Sequence, residues 1–393
     1  MAENKLHNFC SGPCRLPDVA VAEAAAALSD FAGTGIPVVS ISHRSKEWKA
    51  VMEETRELWR ELLNIPQTHD IVLLGGGASM GFLMAAMNFL RTKAAYLDTG
   101  LWASKALKEA IPFGEAYALA SSSDKAYTYI PKDWSCPQDI DYLHITSNNT
   151  IYGTQFHSDP DPGVPLIADM SSDILTRPID FDKYDLVYGG AQKNAGPAGV
   201  FFSIVRRSAL GRVERHIPSM LDYRKHIEAD DSMYNTPPVF SIYLMNRTLH
   251  WIKANGGVPA MQEMSIRRAE LLYEEIDRNS CFVNRVSKED RSLMNVPFFF
   301  SDDLLRSLSP SMGSITHSCP SPSSPAEGES SASSLVEVLT GRFLDFAASR
   351  GIVGIKGHRT AGGFRASIYN ACSLEDVRSL ISCLRDFESQ MQF

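Results

Sequence analysis

The sequence predicts an α/β layer fold built on a largely parallel sheet. Two observations carry this. Short, largely apolar runs recur at 70–74, 94–98, 142–146, 164–169, 186–188 and 199–205, and a strand buried on both faces reads as such a run rather than as an alternation. Segments with helical periodicity stand between several of them. A third observation sets the scale: 393 residues, 44% apolar and 21% charged, fit an ordinary globular chain of two domains at ~100–200 residues each.

Taken in order, residues 47–63 place Val51, Met52, Leu58, Trp59, Leu62 and Leu63 at helical spacing. The run 70–74 stops at Gly75-Gly76-Gly77. Residues 79–90 are apolar almost all round, which predicts a buried helix. Gly256-Gly257 marks a domain boundary, with a large domain over 1–257 and a smaller α/β domain over 258–393. The smaller one is expected to hold a long helix over 258–277, a strand over 294–300 and a terminal helix over 374–387. Between Ser307 and Ser334, 16 of 28 residues are Ser or Pro, and Glu327 and Glu329 are the only charges. Such a stretch cannot bury enough apolar area to offset its ordering entropy, so a disordered surface insertion is expected at about 305–334.

Lysine and arginine total 38 against 46 acidic residues, a net charge of −8. That balance argues against a nucleic-acid binder. No run of 18 apolar residues suggests a membrane span, and the first residues lack the apolar stretch of a signal peptide. Seven scattered cysteines, at 10, 14, 136, 281, 319, 372 and 383, read as reduced thiols in a cytoplasmic compartment. Cys10 and Cys14 form the one close pair; without a second ligand cluster, no metal site is expected.

Three motifs carry chemistry. A strand, then Gly75-Gly76-Gly77-Ala78-Ser79, then a helix, is the layout of an anion site at a helix N-terminus. Met80 breaks the dinucleotide pattern, and Phe82 after Gly81 breaks the P-loop pattern. The strand 164–168 ends at Asp169, and 24 residues later Lys193 sits among small residues in Gly189-Gly190-Ala191-Gln192-Lys193-Asn194-Ala195-Gly196. A carboxylate at a strand end can hold a pyridine nitrogen protonated, and a lysine on a nearby turn can form a Schiff base with an aldehyde. These are the two protein contributions that pyridoxal phosphate chemistry requires. Ligands of open α/β sheets bind outside the carboxyl ends of the strands, where these segments would meet. Trp102, just after a strand end, could stack on a ring. Finally, Gly357-His358-Arg359 with Arg365, and Ile41-Ser42-His43-Arg44, are basic clusters in an acidic chain and suit a small dianion.

Residues 165–173, 189–200, 217–238 and 354–371, with Gly75–Ser79 and 147–155, resemble the phosphoserine aminotransferase family, class V members of the fold type I pyridoxal phosphate enzymes. The resemblance covers nearly the whole chain except roughly 301–340. It implies a mostly parallel seven-stranded sheet in the large domain, and a homodimer with shared active sites. It makes Lys193 the Schiff-base lysine and Asp169 the partner of the pyridine nitrogen. Trp102 would stack on the ring and Thr150 contact its hydroxyl; Ala78, Ser79 and Gln192 would hold the cofactor phosphate. Asn235 and Thr236 match a pair that reaches that phosphate from the neighbouring subunit. His43, Arg44, His358, Arg359 and Arg365 match the contacts to substrate phosphate and carboxylate. The chain departs from many bacterial members in having Ala78-Ser79 in the glycine turn, and in Cys10, Cys14 and the Ser/Pro insertion. The implied reaction moves an amino group between glutamate and 3-phosphohydroxypyruvate, giving phosphoserine and 2-oxoglutarate. The alternatives are another class V enzyme, acting on unphosphorylated amino acids or as a cysteine desulfurase, and a non-catalytic small-anion-binding protein on the same scaffold.

Overall fold

The structure is a computed structural model that describes residues 5–229, 232–308 and 330–391. Seven strands form the main sheet in the order His69–Gly75, Val200–Arg206, Tyr184–Gly190, Leu166–Asp169, Leu143–Thr146, Lys93–Asp98, Glu115–Ser121. Val200–Arg206 runs antiparallel to both its neighbours, while the last five pair in parallel. Side chains alternate between two buried layers. Ile71, Leu73, Val187 and Phe202 face one layer with Trp48, Trp59 and Leu62 of helix Lys46–Leu63 and Met245 and Leu249 of helix Val239–Ala254. Val72, Leu74, Tyr188 and Phe201 face the other, with Phe82 and Phe89 of helix Ala78–Phe89. That helix lies so close to the sheet that a Cβ at Gly81 would run into the Tyr188 and Phe201 rings. Gly81 therefore serves packing.

Several elements escape the periodicity reading, three of them for a plain physical reason. Glu115–Ser121 is an edge strand of three alanines with Glu115, Tyr117, Leu119 and Ser121, none of them fully buried. Helix Leu101–Ala110 buries only alanines. Helix Val239–Ala254 packs against both Asp18–Ala27 and Lys46–Leu63, so its apolar residues do not form one stripe.

A second core gathers Phe282, Phe298, Phe300, Phe343, Phe364 and Phe387. It is built from the three-stranded antiparallel sheet Phe364–Ser367, Asn295–Phe300, Phe282–Val283 and from helices including Leu374–Met391. Helix Gly257–Arg278 puts Val258 and Met261 in the first core and Ala269, Leu272 and Ile276 in the second. Near the N-terminus, His7–Asn8 pairs with Ile352–Val353, and Phe9 is buried in the second core. The Ser/Pro-rich stretch falls outside the described residues from 309 to 329. The described residues on either side are helical, Asp302–Leu308 and Ser330–Ser349, the first anchored by buried Leu304 and Leu305. No helix among the described residues is long and apolar enough to cross a membrane.

Candidate active site

Register assembles the site. Asp169, the last residue of its strand, stands opposite Thr146 on one side and Tyr188 on the other. The next strand ends in Gly189-Gly190, where the chain must approach the Asp169 turn closely. A Cβ on Gly189 would lie 2.8 Å from the Ser171 Cα. Because glycine stands there, Gly190 N donates to Ser171 Oγ at 3.1 Å, and the lysine loop begins beside the carboxylate. Gly75 pairs with Val200, and Gly76 N donates to Gly199 O at 3.1 Å, so the glycine turn meets the far end of the same loop.

A cavity of about 320 Å³ opens at this junction. Asp169 is buried; its Oδ1 accepts from Ser171 N at 2.9 Å and Ser171 Oγ at 2.5 Å. Burial pushes its carboxyl above the usual value, against those hydrogen bonds and the charge of Lys193. Lys193 Nζ donates to Thr150 Oγ1 at 2.6 Å. Burial pushes its amine down to about 8, opposed by Asp169 and reinforced by Arg365. The backbone beneath it is held by Cys14, whose N donates to Gln192 O at 3.3 Å and whose Sγ donates to Lys193 O at 2.8 Å. Burial pushes the Cys14 thiol up to about 12, so it is a packing donor rather than the nucleophile a desulfurase needs.

Gly77, Ala78 and Ser79, the start of helix Ala78–Phe89, line the cavity, and the helix has no side-chain cap. Space is open where a Cβ on Gly77 would project, so the first N–H groups are left for an anion. Trp102 lines the wall from the first turn of Leu101–Ala110, with Lys105 Nζ 4.6 Å over its ring. Gln192 also lines the cavity. Arg365 lines it too, from strand Phe364–Ser367. One Nη donates to Thr150 O at 3.1 Å and the other to Ser11 Oγ at 2.5 Å. Its buried Nε has no protein partner. His358 lines the same cavity, its Nδ1 2.8 Å from Thr360 Oγ1. Burial and the nearby Arg365, Arg359 and Lys105 charges push its imidazole below the ordinary value.

The structure therefore brings Lys193, Asp169, Ala78, Ser79, Trp102, Thr150, Gln192, His358 and Arg365 into one cavity. It does not bring five others there. Asn235 and Thr236 are exposed, on a second small cavity that Gly75 also lines. His43 and Arg44 lie just before helix Lys46–Leu63, away from the cavity wall. Arg359 turns into an adjoining cavity. Sequence reasoning gave no role to Ser11, Ser171 or Cys14. Ser11 and Cys14 sit in an N-terminal segment, 180 residues away in sequence, whose place only the tertiary structure reveals; Ser171 follows Asp169 so closely that the carboxylate's need for a donor could have pointed to it.

The donors fit pyridoxal phosphate: an amine for an aldehyde, a buried carboxylate for a ring nitrogen, an uncapped helix start for a phosphate and a tryptophan for a ring face. Fold and site together define a fold type I pyridoxal phosphate enzyme. The aminotransferase class-V model matches residues 6–380. A phosphoserine aminotransferase of Phocaeicola vulgatus is 50% identical over 385 residues, covering 98% of this chain and 99% of its own. One of Bacteroides fragilis is 49% identical over 384 residues, with the same coverage. Among solved structures, the phosphoserine aminotransferase of Bacillus circulans subsp. alkalophilus superposes with a TM-score of 0.86 at 37% identity, covering 98% of this chain and 99% of that one. The chain belongs to the class-V aminotransferase family, and it is a pyridoxal phosphate-dependent transaminase.

The depressed amine gives a prediction for the cofactor-free protein. Only the neutral amine adds to an aldehyde. Cofactor uptake should rise about tenfold per pH unit below pH 8 and level off above it. Stopped-flow absorbance across pH 6–11 would follow this; a rate still climbing toward 10.5, the ordinary lysine value, would contradict it.

Proposed function

We propose that this transaminase transfers an amino group between glutamate and 3-phosphohydroxypyruvate, giving phosphoserine and 2-oxoglutarate, as a step of serine biosynthesis in the cytoplasm. The observation that carries the reading is the polarity of the cavity. The cavity is lined by a lysine, a carboxylate, an uncapped helix start and a buried arginine with an unpartnered Nε. Relatives at about half identity over their full length bear the matching name; nothing in the site favours an enzyme for unphosphorylated substrates or a mere binder.

Ala78, Ser79 and Gln192 would hold the cofactor's phosphate, Trp102 its ring face and Thr150 its ring hydroxyl. When bound, the cofactor supplies an electron-poor ring that stabilises the charge left on the substrate carbon. Asp169 holds a proton at the ring nitrogen. Lys193, kept a usable base near neutrality by its burial, takes the substrate's α-proton and returns it elsewhere. Arg365 pairs with the α-carboxylate through the fork that includes its idle Nε. His358 and Arg359 stand on the side where a distal phosphate would lie. In a homodimer with shared sites, a second copy supplies Asn235 and Thr236 to the cofactor phosphate and His43 and Arg44 to the substrate.

Arg359→Ala should lower kcat/KM for phosphoserine about 10- to 100-fold, the worth of one charge-assisted hydrogen bond, and affect serine far less. Arg365→Ala should weaken phosphoserine, serine and glutamate alike. Steady-state kinetics on the three amino acids decide the matter; equal loss on phosphoserine and serine in Arg359→Ala would refute this division of labour.

A further inference from the structure

Asn295 is fully buried at the start of strand Asn295–Phe300 and hydrogen-bonds in three directions. Its Oδ1 accepts from Asn148 Nδ2 at 2.8 Å, and its Nδ2 donates to Ser367 Oγ at 3.0 Å and to Tyr369 Oη at 3.1 Å. Tyr369 Oη passes its own proton on to Ser11 O at 2.8 Å. Asn148 is fixed in turn: its Nδ2 also donates to Ser172 Oγ at 2.8 Å, and its Oδ1 accepts from Ser292 Oγ at 2.5 Å. Asn148 and Ser172 follow strands Leu143–Thr146 and Leu166–Asp169 of the main sheet and line the catalytic cavity, whereas Asn295 belongs to the sheet of the second core. Buried polar groups are costly unless every one is paired, and when paired they fix a single arrangement. The ends of this network are the two oxygens that hold Arg365. Thr150 O and Ser11 Oγ accept from its two Nη atoms. Ser11 is tied to Tyr369 through its carbonyl, and Thr150 lies two residues after Asn148. Strand pairing places the Arg365 backbone opposite Pro297, but it does not set the side-chain torsions that carry the guanidinium. Two neutral oxygens set them, and Asn295 is the hub to which both lead.

We infer that Asn295 and Tyr369 are positioning residues: through Asn148 and Ser11 they aim the Arg365 guanidinium at the place of the substrate's α-carboxylate. The inference rests on the assignment of that carboxylate to Arg365 and extends it to two residues that line no part of the catalytic cavity. The carboxylate is common to every amino-acid substrate, and it is held in the ground state and the transition state alike. The network therefore acts on the binding of all of them and leaves the limiting rate alone.

The test uses the holoenzyme with Tyr369→Phe, which removes only the hydroxyl, and with Ser11→Ala, at a half-buried position, each alone and combined with Arg365→Ala. In single-turnover half-reactions, phosphoserine, serine and glutamate should each bind about three- to tenfold more weakly to either single variant, the worth of one hydrogen bond. The limiting rates should stay within about twofold of the wild type. In the Arg365→Ala background the same substitutions should change binding less than about twofold, because no guanidinium is left to aim. Calorimetry with 3-phosphoglycerate, which has the carboxylate and the phosphate but no amine, provides an arm that needs no turnover; its affinity should fall by the same factor. Unchanged affinities beside a lower Tm would make the network a mere structural weld and overturn the inference. So would a loss that persists in the Arg365→Ala background, or one confined to phosphoserine. An Arg365→Ala enzyme that binds all three amino acids as the wild type does would refute the carboxylate assignment itself, and the positioning role with it.

Discussion

Lys193→Ala is expected to leave a folded protein whose turnover is lower by about 10⁴-fold or more. The side chain serves twice, as the amine that joins the cofactor's aldehyde and as the base for the α-proton; the proton-transfer role alone is worth about 10²–10⁴. The fold should survive. The lysine loop is held through backbone groups, Ala191 N to Val200 O at 2.9 Å and Gly196 N to Ala191 O at 2.9 Å. What the substitution removes is one hydrogen bond to Thr150 and a charge whose burial is unfavourable. Circular dichroism and a thermal melt beside a phosphoserine assay would check both halves. Substantial turnover in a well-folded variant would remove Lys193 from the mechanism.

Asp169→Asn should cost about 10²–10³ in kcat, the usual loss when one preorganised electrostatic partner is deleted. The amide is nearly isosteric, and its Oδ1 can still accept from Ser171 N and Oγ. Ser171 Oγ can in turn still receive Gly190 N, so the turn that seats the lysine loop should persist. The lysine's titration provides a second readout. The Asp169 charge raises the Lys193 pKa against its burial, so removing it should move the amine below 8. The pH profile of cofactor uptake in Asp169→Asn should therefore shift to lower pH. An upward shift, or unchanged kcat, would contradict the pairing.

Much of this site was legible in the sequence because its centre is local. Asp169 and the lysine loop each follow an uninterrupted apolar run, and a parallel sheet with both faces covered brings the carboxyl ends of such runs to one edge. Gly189 and Gly190 read in the sequence only as small residues beside Lys193; that they make room for the Ser171 turn shows in the tertiary structure. The remainder depends on distances along the chain that no periodicity records. Cys14 reaches the lysine loop and Ser11 reaches Arg365 from a segment whose residues 7–9 are pinned to the second core by Ile352–Val353. Arg365 and Arg359 are six residues apart and read as one basic cluster. A strand fixes the first in the cavity wall, while the loop before it turns the second into the neighbouring space. Val239–Ala254 and Glu115–Ser121 went unread for a related reason, the one packed between two helices and the other exposed at an edge, so that neither shows the pattern of a half-buried element.

The central claim is that this cavity carries out an amino transfer with a phosphorylated amino acid. The most direct measurement mixes the holoenzyme with phosphoserine alone, at enzyme-like concentrations and without an acceptor. The visible band of the lysine-bound cofactor should be lost in a single exponential, with one equivalent of 3-phosphohydroxypyruvate released per site, and 2-oxoglutarate should restore the band. Serine should do the same at least about tenfold less efficiently. A spectrum that phosphoserine leaves unchanged, or that serine converts as readily, would contradict the account.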